Sequence, residues 1–241
     1  MEPSASSSPS PKTSYFGVKH LGNLKLLEGA ESATVTVGPK DAAITWHLPK
    51  ALLTRHSLFF AAALDGSFAE AKLNSVTMPD DDPNVFRLWV QWLYLGHITC
   101  QILGVDDINN VLVKAWILGD KLGCQIFKDV VMMDLLACHS PKVERPLIET
   151  STLRTAYEGS APGSKLRKWA LNFFVFEIGQ TRSGNFSALQ RNILWVSETK
   201  DIEDFSQDYM EASVEFSLQG NPTNPYTNGQ QYMEVLSFKP R

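Results

Sequence analysis

The sequence predicts an α+β fold, a small β-sheet flanked by a cluster of α-helices and followed by an α-helical C-terminal extension. Residues 33–37 (Ala-Thr-Val-Thr-Val) alternate with β-branched side chains, as half-buried strands do. Residues 83–95 place valine, phenylalanine, tryptophan and leucine at helical spacing. Beyond Pro146 the regular patterns are all helical. With 241 residues, the chain is long enough to bury a core without disulfide staples.

The N-terminal half begins with a predicted β-hairpin. The turn residues at 38–41 (Gly-Pro-Lys-Asp) are followed by a returning strand at 43–46. Pro49 suits the first turn of a short helix, and Ser57 is the predicted N-cap of a second one. Residues 75–78 (Ser-Val-Thr-Met) form the third predicted strand.

Three longer helices follow. Asp82 caps the first and Pro83 occupies its first position, which are the residues preferred there. This helix ends at Gly96. Two more helices are expected at 108–122 and 125–138, where apolar residues recur every three or four positions.

The C-terminal part is predicted to be helical and then irregular. Thr150 or Ser151 is the predicted N-cap of a short helix, and Ser164 is the predicted N-cap of another at 165–178. One or two helices are expected within 187–216, an acidic region that is either a solvated helix face or a surface for a basic partner. The predicted division is a disordered Ser/Pro-rich tail (1–14), a first domain (15–140), a helical extension (146–216) and a mobile tail (217–241).

Charge and cysteine content restrict the functional classes. Lys and Arg number 22 and Asp and Glu number 26, a net charge of −4, which argues against a nucleic-acid partner. The three cysteines (Cys100, Cys124, Cys138) are too few for a disulfide framework and suit a reducing compartment. No secretory signal or apolar run of membrane-spanning length is present. We therefore expect a cytoplasmic or nuclear protein, or one found in both, with no membrane partner.

The sequence contains no recognisable catalytic pattern. It lacks the phosphate-binding glycine motifs and the HExxH zinc motif. The acidic run at 80–82 is explained by helix capping better than by cation binding. Cys138-His139 with Cys124 has no metal-ligand spacing. We expect no enzyme activity, no cofactor and no metal; an enzyme with an unrecognised site is the remote alternative.

Several segments together resemble one family. They are Val35-Thr-Val-Gly-Pro39, Leu48-Pro-Lys-Ala-Leu-Leu53, Ser57-Leu-Phe-Phe60, Phe68-Ala-Glu-Ala71, Val76-Thr-Met-Pro-Asp80 and the helix Asp82–Tyr94 running into Leu95-Gly96. Their order and spacing over about 33–138 resemble a BTB/POZ domain of the type abundant in filamentous fungi. The resemblance implies a BTB/POZ fold and a non-catalytic protein–protein interaction function.

The resemblance also implies partners. BTB domains self-associate or bind other proteins, and many are substrate adaptors for cullin-3 ubiquitin ligases. This chain reads Gly-His-Ile-Thr-Cys at 96–100, where such adaptors often carry an apolar-x-Glu element. The alternative is an oligomerising scaffold, a homodimer for example, or a nuclear co-regulator without a ligase role.

Two sets of residues are candidates for the protein interface. The first follows the helix at 83–95, and the second lies in an N-terminal segment that could self-associate. Packing within the chain is the alternative for both. The candidates are Tyr94, Leu95, His97 and Ile98 in the first set, and Leu24, Leu26 and Leu27 in the second.

Overall fold

A three-stranded mixed sheet and a larger set of helices make up the described part of the chain, which confirms the predicted α+β class. The computed structural model describes residues 26–67, 69–99, 107–140, 148–181, 197–218 and 224–237. The predicted tail at 1–14 lies outside these residues. Every structural statement below concerns the described part of the chain.

The sheet has the strand order β2-β1-β3. Its strands are β1 (Ser32–Val37), β2 (Ile44–Pro49) and β3 (Ser75–Met78). β1 pairs antiparallel with β2 and parallel with β3, so that Val35 lies between Trp46 and Val76. The predicted alternation is confirmed, because every second side chain of β1, beginning at Ala33, is buried.

β2 begins one residue later and ends three residues later than the predicted strand at 43–46. Pro49 pairs with Ser32 at the end of the strand, so the prediction that it opens a helix was wrong by one position. An edge strand tolerates proline because its outward N–H needs no ladder partner.

Three short helices and one long helix surround the sheet. They are α1 (Lys50–His56), α2 (Leu58–Asp65), α3 (Ala69–Leu73) and α4 (Pro83–Leu95). Both predicted N-caps are confirmed. Ser57 Oγ accepts from the Phe60 N–H at 3.2 Å, and Asp82 Oδ1 accepts from the Asn84 N–H at 2.8 Å.

The remaining helices are α5 (Ile108–Lys121), α6 (Gln125–Cys138), α7 (Thr150–Gly159), α8 (Lys165–Thr181) and α9 (Phe205–Leu218). Ser164 Oγ accepts from the Arg167 N–H at 3.2 Å, which confirms it as the cap of α8. The prediction that Thr150 or Ser151 caps α7 was wrong, because both residues already lie in the helix and Glu149 precedes it. α8 continues three residues beyond its predicted end at Ile178.

One hydrophobic core runs through the described elements. It includes Trp89 and Trp92 on α4, Trp116 on α5 and Trp169 on α8. The helices after residue 146 therefore share their core with the sheet and with α4 to α6. The division into domains at 15–140 and 146–216 stays a prediction.

The C-terminal segment contains a folded element. Residues Pro225–Tyr232 form a 3-10 helix that packs against α6 and α8, and Tyr232 is fully buried. Residues 225–232 are thus packed against the helices, and the expectation of a mobile tail at 217–241 stays a prediction. The contacts that hold this element come from residues distant in sequence, chiefly Asp129 on α6.

Candidate functional site

The last turn of α4 turns two neighbouring side chains outward. Trp92 and Leu93 are fully buried, whereas Tyr94 is 44% exposed and Leu95 is 53% exposed. This follows from helical geometry, since residues beyond the apolar face of α4 must point away from the core. Three of the four predicted interface residues of this region, Tyr94, Leu95 and His97, are thus on the surface.

A glycine ends α4 and reverses the chain. Gly96 has φ +74°, a conformation that side-chain-bearing residues rarely adopt, and its N–H donates to the Trp92 carbonyl at 2.8 Å. His97 is exposed, and its Nδ1 lies 3.1 Å from the Leu95 carbonyl oxygen. The direction of the chain after Leu95 is therefore set by backbone hydrogen bonding.

Ile98 anchors the far side of this turn. Its side chain is only 7% exposed and belongs to the hydrophobic core, so it presents little surface to a partner. The next residue, Thr99, donates its N–H to Gln91 Oε1 at 2.9 Å. Gln91 thus positions the turn, a role that the sequence analysis missed because nothing in the sequence pairs it with Thr99.

We call residues 94–99 the α4 turn. Partial burial raises the pKa of Tyr94, so its phenol is neutral at physiological pH and can both donate and accept a hydrogen bond. Tyr94 and Leu95 together offer apolar area with one polar group. These features suit an anchor for a protein partner.

The N-terminal candidates lie elsewhere. Leu26 and Leu27 are half-buried and pack against the core. Their contacts agree with packing within the chain. Leu24 lies outside the described residues.

The acidic run at 80–82 and the two described cysteines, Cys124 and Cys138, have structural explanations. Asp81 pairs with Lys121 at 2.7 Å, and Asp82 caps α4. Burial raises the pKa of the Cys124 and Cys138 thiols to about 11, so both are protonated at neutral pH. Within the described ranges, no group of three or more His, Cys, Asp or Glu side chains could hold a metal ion.

In the part of the chain that the structure covers, no helix is both long and apolar enough to cross a membrane.

Comparison with known proteins adds no relative. The sequence matches no protein-family model, and it matches no curated protein.

Proposed function

We propose that this protein is a non-catalytic protein–protein interaction module of the BTB/POZ type, and that a partner binds at the α4 turn. The proposal is supported by the sequence resemblance together with the order of elements. A β-hairpin is followed by three short helices, a strand parallel to β1, and then α4.

We choose the α4 turn as the site because its backbone is held in place while two of its side chains are exposed. Gly96, Ile98 and Thr99 fix the backbone of the turn, whereas Tyr94 and Leu95 remain accessible. A pre-ordered turn loses little conformational entropy when a partner binds, so more of the contact energy appears as affinity. Aromatic side chains on such surfaces are frequent hot spots.

The first partner to test is the N-terminal domain of cullin-3, because the adaptor role is the more specific form of the proposal. Calorimetric titration of the full chain should show a dissociation constant tighter than ~10 μM, about −7 kcal/mol. Tyr94→Ala should weaken binding about 30-fold, which corresponds to ~2 kcal/mol for a hot-spot aromatic.

Leu73→Ala provides a matched control, because Leu73 is 75% exposed but lies on α3. Its affinity should equal that of the wild type. Loss of binding in both variants, or in neither, would remove the α4 turn from the interface. No binding at ~100 μM would refute the adaptor role, and the oligomerising scaffold would then be tested by sedimentation of the chain alone.

A further inference from the structure

Helix α9 carries apolar side chains on two opposite faces. Its inner face packs into the core, where the Phe205 ring lies 5.3 Å from Tyr157 and 5.4 Å from Phe174. On the opposite face, Met210, Val214 and Leu218 are 70%, 61% and 81% exposed. A surface helix ordinarily turns a polar face to water, so the second apolar face needs another explanation.

These three residues form what we call the outer stripe. Their spacing of four positions aligns them along one side of the helix. Side chains of this size present an apolar area on the order of a few hundred Å² when exposed to this degree, within the range of patches that mark interaction sites. The outer stripe is therefore large enough to bind one face of a helix or a short extended segment.

The charge beside the outer stripe has one sign. With 100° between successive residues, Glu211 and Glu215 fall on one side of the stripe, and Ser206 and Ser217 fall on the other. α9 contains no Lys or Arg, and its C-terminal end adds the partial negative charge of the helix dipole.

The segment around α9 is acidic as a whole. Residues 197–218 contain seven carboxylates (Glu198, Asp201, Glu203, Asp204, Asp208, Glu211, Glu215) and a single basic residue, Lys200. Arg154 pairs with Asp201 at 2.8 Å, and Arg167 pairs with Asp204 at 3.1 Å. Both of these pairs lie before or at the start of α9, and Glu211, which lies beside the outer stripe, is exposed.

We propose that the outer stripe of α9 is a docking surface for an amphipathic segment of another protein, with apolar residues flanked by Lys or Arg. The apolar residues of the partner would cover Met210, Val214 and Leu218. Its basic residues would lie along the Glu211 side. Complementary charge speeds such an encounter and selects against acidic competitors.

A second copy of this chain fits the surface less well. In an antiparallel two-fold pair of α9 helices, Glu211 and Glu215 would face their own counterparts across the interface. In a parallel two-fold pair they would face Ser206 and Ser217, which supply no positive charge. Neither arrangement places a positive charge opposite Glu211, whereas a basic segment does.

The test uses the full chain and a fluorescent Leu/Lys peptide of about 18 residues patterned as an amphipathic helix. Two peptides serve as controls: one with every Lys replaced by Glu, and one with the Leu/Lys order scrambled. Fluorescence anisotropy measures the affinity for the wild type, for the triple variant Met210→Ser/Val214→Ser/Leu218→Ser, and for Glu211→Lys. Leu73→Ser controls for the loss of an equally exposed apolar side chain elsewhere.

The patterned Leu/Lys peptide should bind the wild type and Leu73→Ser equally, and bind the triple variant at least about tenfold more weakly. Glu211→Lys should weaken it about threefold or more, with a smaller dependence on salt. Circular dichroism should show that all the variants fold, since the substituted residues are exposed.

Equal affinity for the wild type and the triple variant would overturn the proposal, as would no binding at ~100 μM or equal binding of the Glu peptide. A dimer seen by sedimentation that the triple variant abolishes would assign the stripe to a second copy instead. None of these outcomes depends on the α4 turn, so this surface and the proposed function fail separately.

Discussion

Removing the carboxylate of Asp129 should release the C-terminal 3-10 helix. Asp129 lies on α6 and is fully buried. Its Oδ1 accepts from the Glu234 N–H at 2.6 Å, and its Oδ2 accepts from the Val235 and Leu236 N–H groups at 2.7 Å each. A single side chain thus holds the backbone that follows the 3-10 helix.

The magnitude follows from counting the donors that lose their acceptor. Asp129→Ala leaves three N–H groups without their carboxylate, and each costs about 1 kcal/mol or more. We therefore expect a loss of ~3 kcal/mol, partly offset because the variant no longer desolvates a carboxylate. In a chain of this size, ~3 kcal/mol corresponds to a fall in Tm of about 6–12 °C. Asp129→Asn keeps one acceptor oxygen and should cost about half as much.

Two assays separate local release from global unfolding. Urea denaturation measures the free energy of unfolding. Hydrogen exchange followed by mass spectrometry measures protection of the amides at 234–236, whose exchange should rise by about 100-fold in Asp129→Ala. Asp65→Ala is the control, because Asp65 forms a surface ion pair with Lys50 at 3.4 Å, which contributes little. Unchanged protection at 234–236 in Asp129→Ala would refute the reasoning.

Three further predictions concern the core, a cap and the thiols. Ile98→Ala should lower the free energy of unfolding by about 2–4 kcal/mol, whereas Leu95→Ala should change it by less than ~0.5 kcal/mol, both measured in urea. Ser57→Ala should cost about 1–2 kcal/mol, because Ser57 Oγ also donates to the Leu122 carbonyl at 2.7 Å; a loss below ~0.3 kcal/mol would contradict this. The pKa of the Cys124 and Cys138 thiols is about 11 in the folded chain and about 9 in the unfolded chain. The contribution of these thiols to the free energy of unfolding should therefore be fully present below pH 9 and be lost between pH 9 and 11. Denaturation at pH 8 and pH 10, with iodoacetamide labelling mapped by peptide, would show this; fast labelling of either thiol in the folded chain at pH 8 would contradict it.

The sequence was most informative where structure depends on neighbours along the chain. Ser57 and Asp82 were identified as caps because the side-chain oxygen of the residue just before a helix can accept from the N–H of the second or third helical residue. Gly96 was identified as the end of α4 because only glycine enters the left-handed region easily. The alternation in β1 likewise reports burial on one side of a sheet.

Features that depend on distant residues were not predicted. The segment at 225–232 contains Asn, Pro and Gly, which indicate a loop, but the anchor that orders its neighbour is Asp129, about a hundred residues earlier. Ile98 was placed at the surface because it follows the end of a helix. Whether the chain turns inward after Gly96 depends on the packing of Ile98 against residues distant in the sequence, and no local sequence pattern encodes this packing.

Because the helices after residue 146 share the hydrophobic core with α4 to α6, we expect residues 1–140 not to fold stably on their own. α5 and α7 pack so closely that a Cβ at Gly159 would overlap Ile117 Cδ1. Thr152 Oγ1 also donates to Asp107 Oδ2 at 3.3 Å. A fragment of residues 1–140 would expose Ile117 and remove the donors that Asp129 requires.

We therefore expect that fragment to lack a cooperative urea transition, or to unfold at a clearly lower urea concentration than the full chain. Near-UV circular dichroism reports the packing of Trp116 and its neighbours, so it should lose intensity in the fragment. A fragment with the same urea midpoint and near-UV spectrum as the full chain would instead show that residues 15–140 fold on their own. The later helices would then pack on a domain that is already stable without them. The comparison distinguishes these alternatives because α5 and α6 depend on contacts with the later helices in the first and do not depend on them in the second.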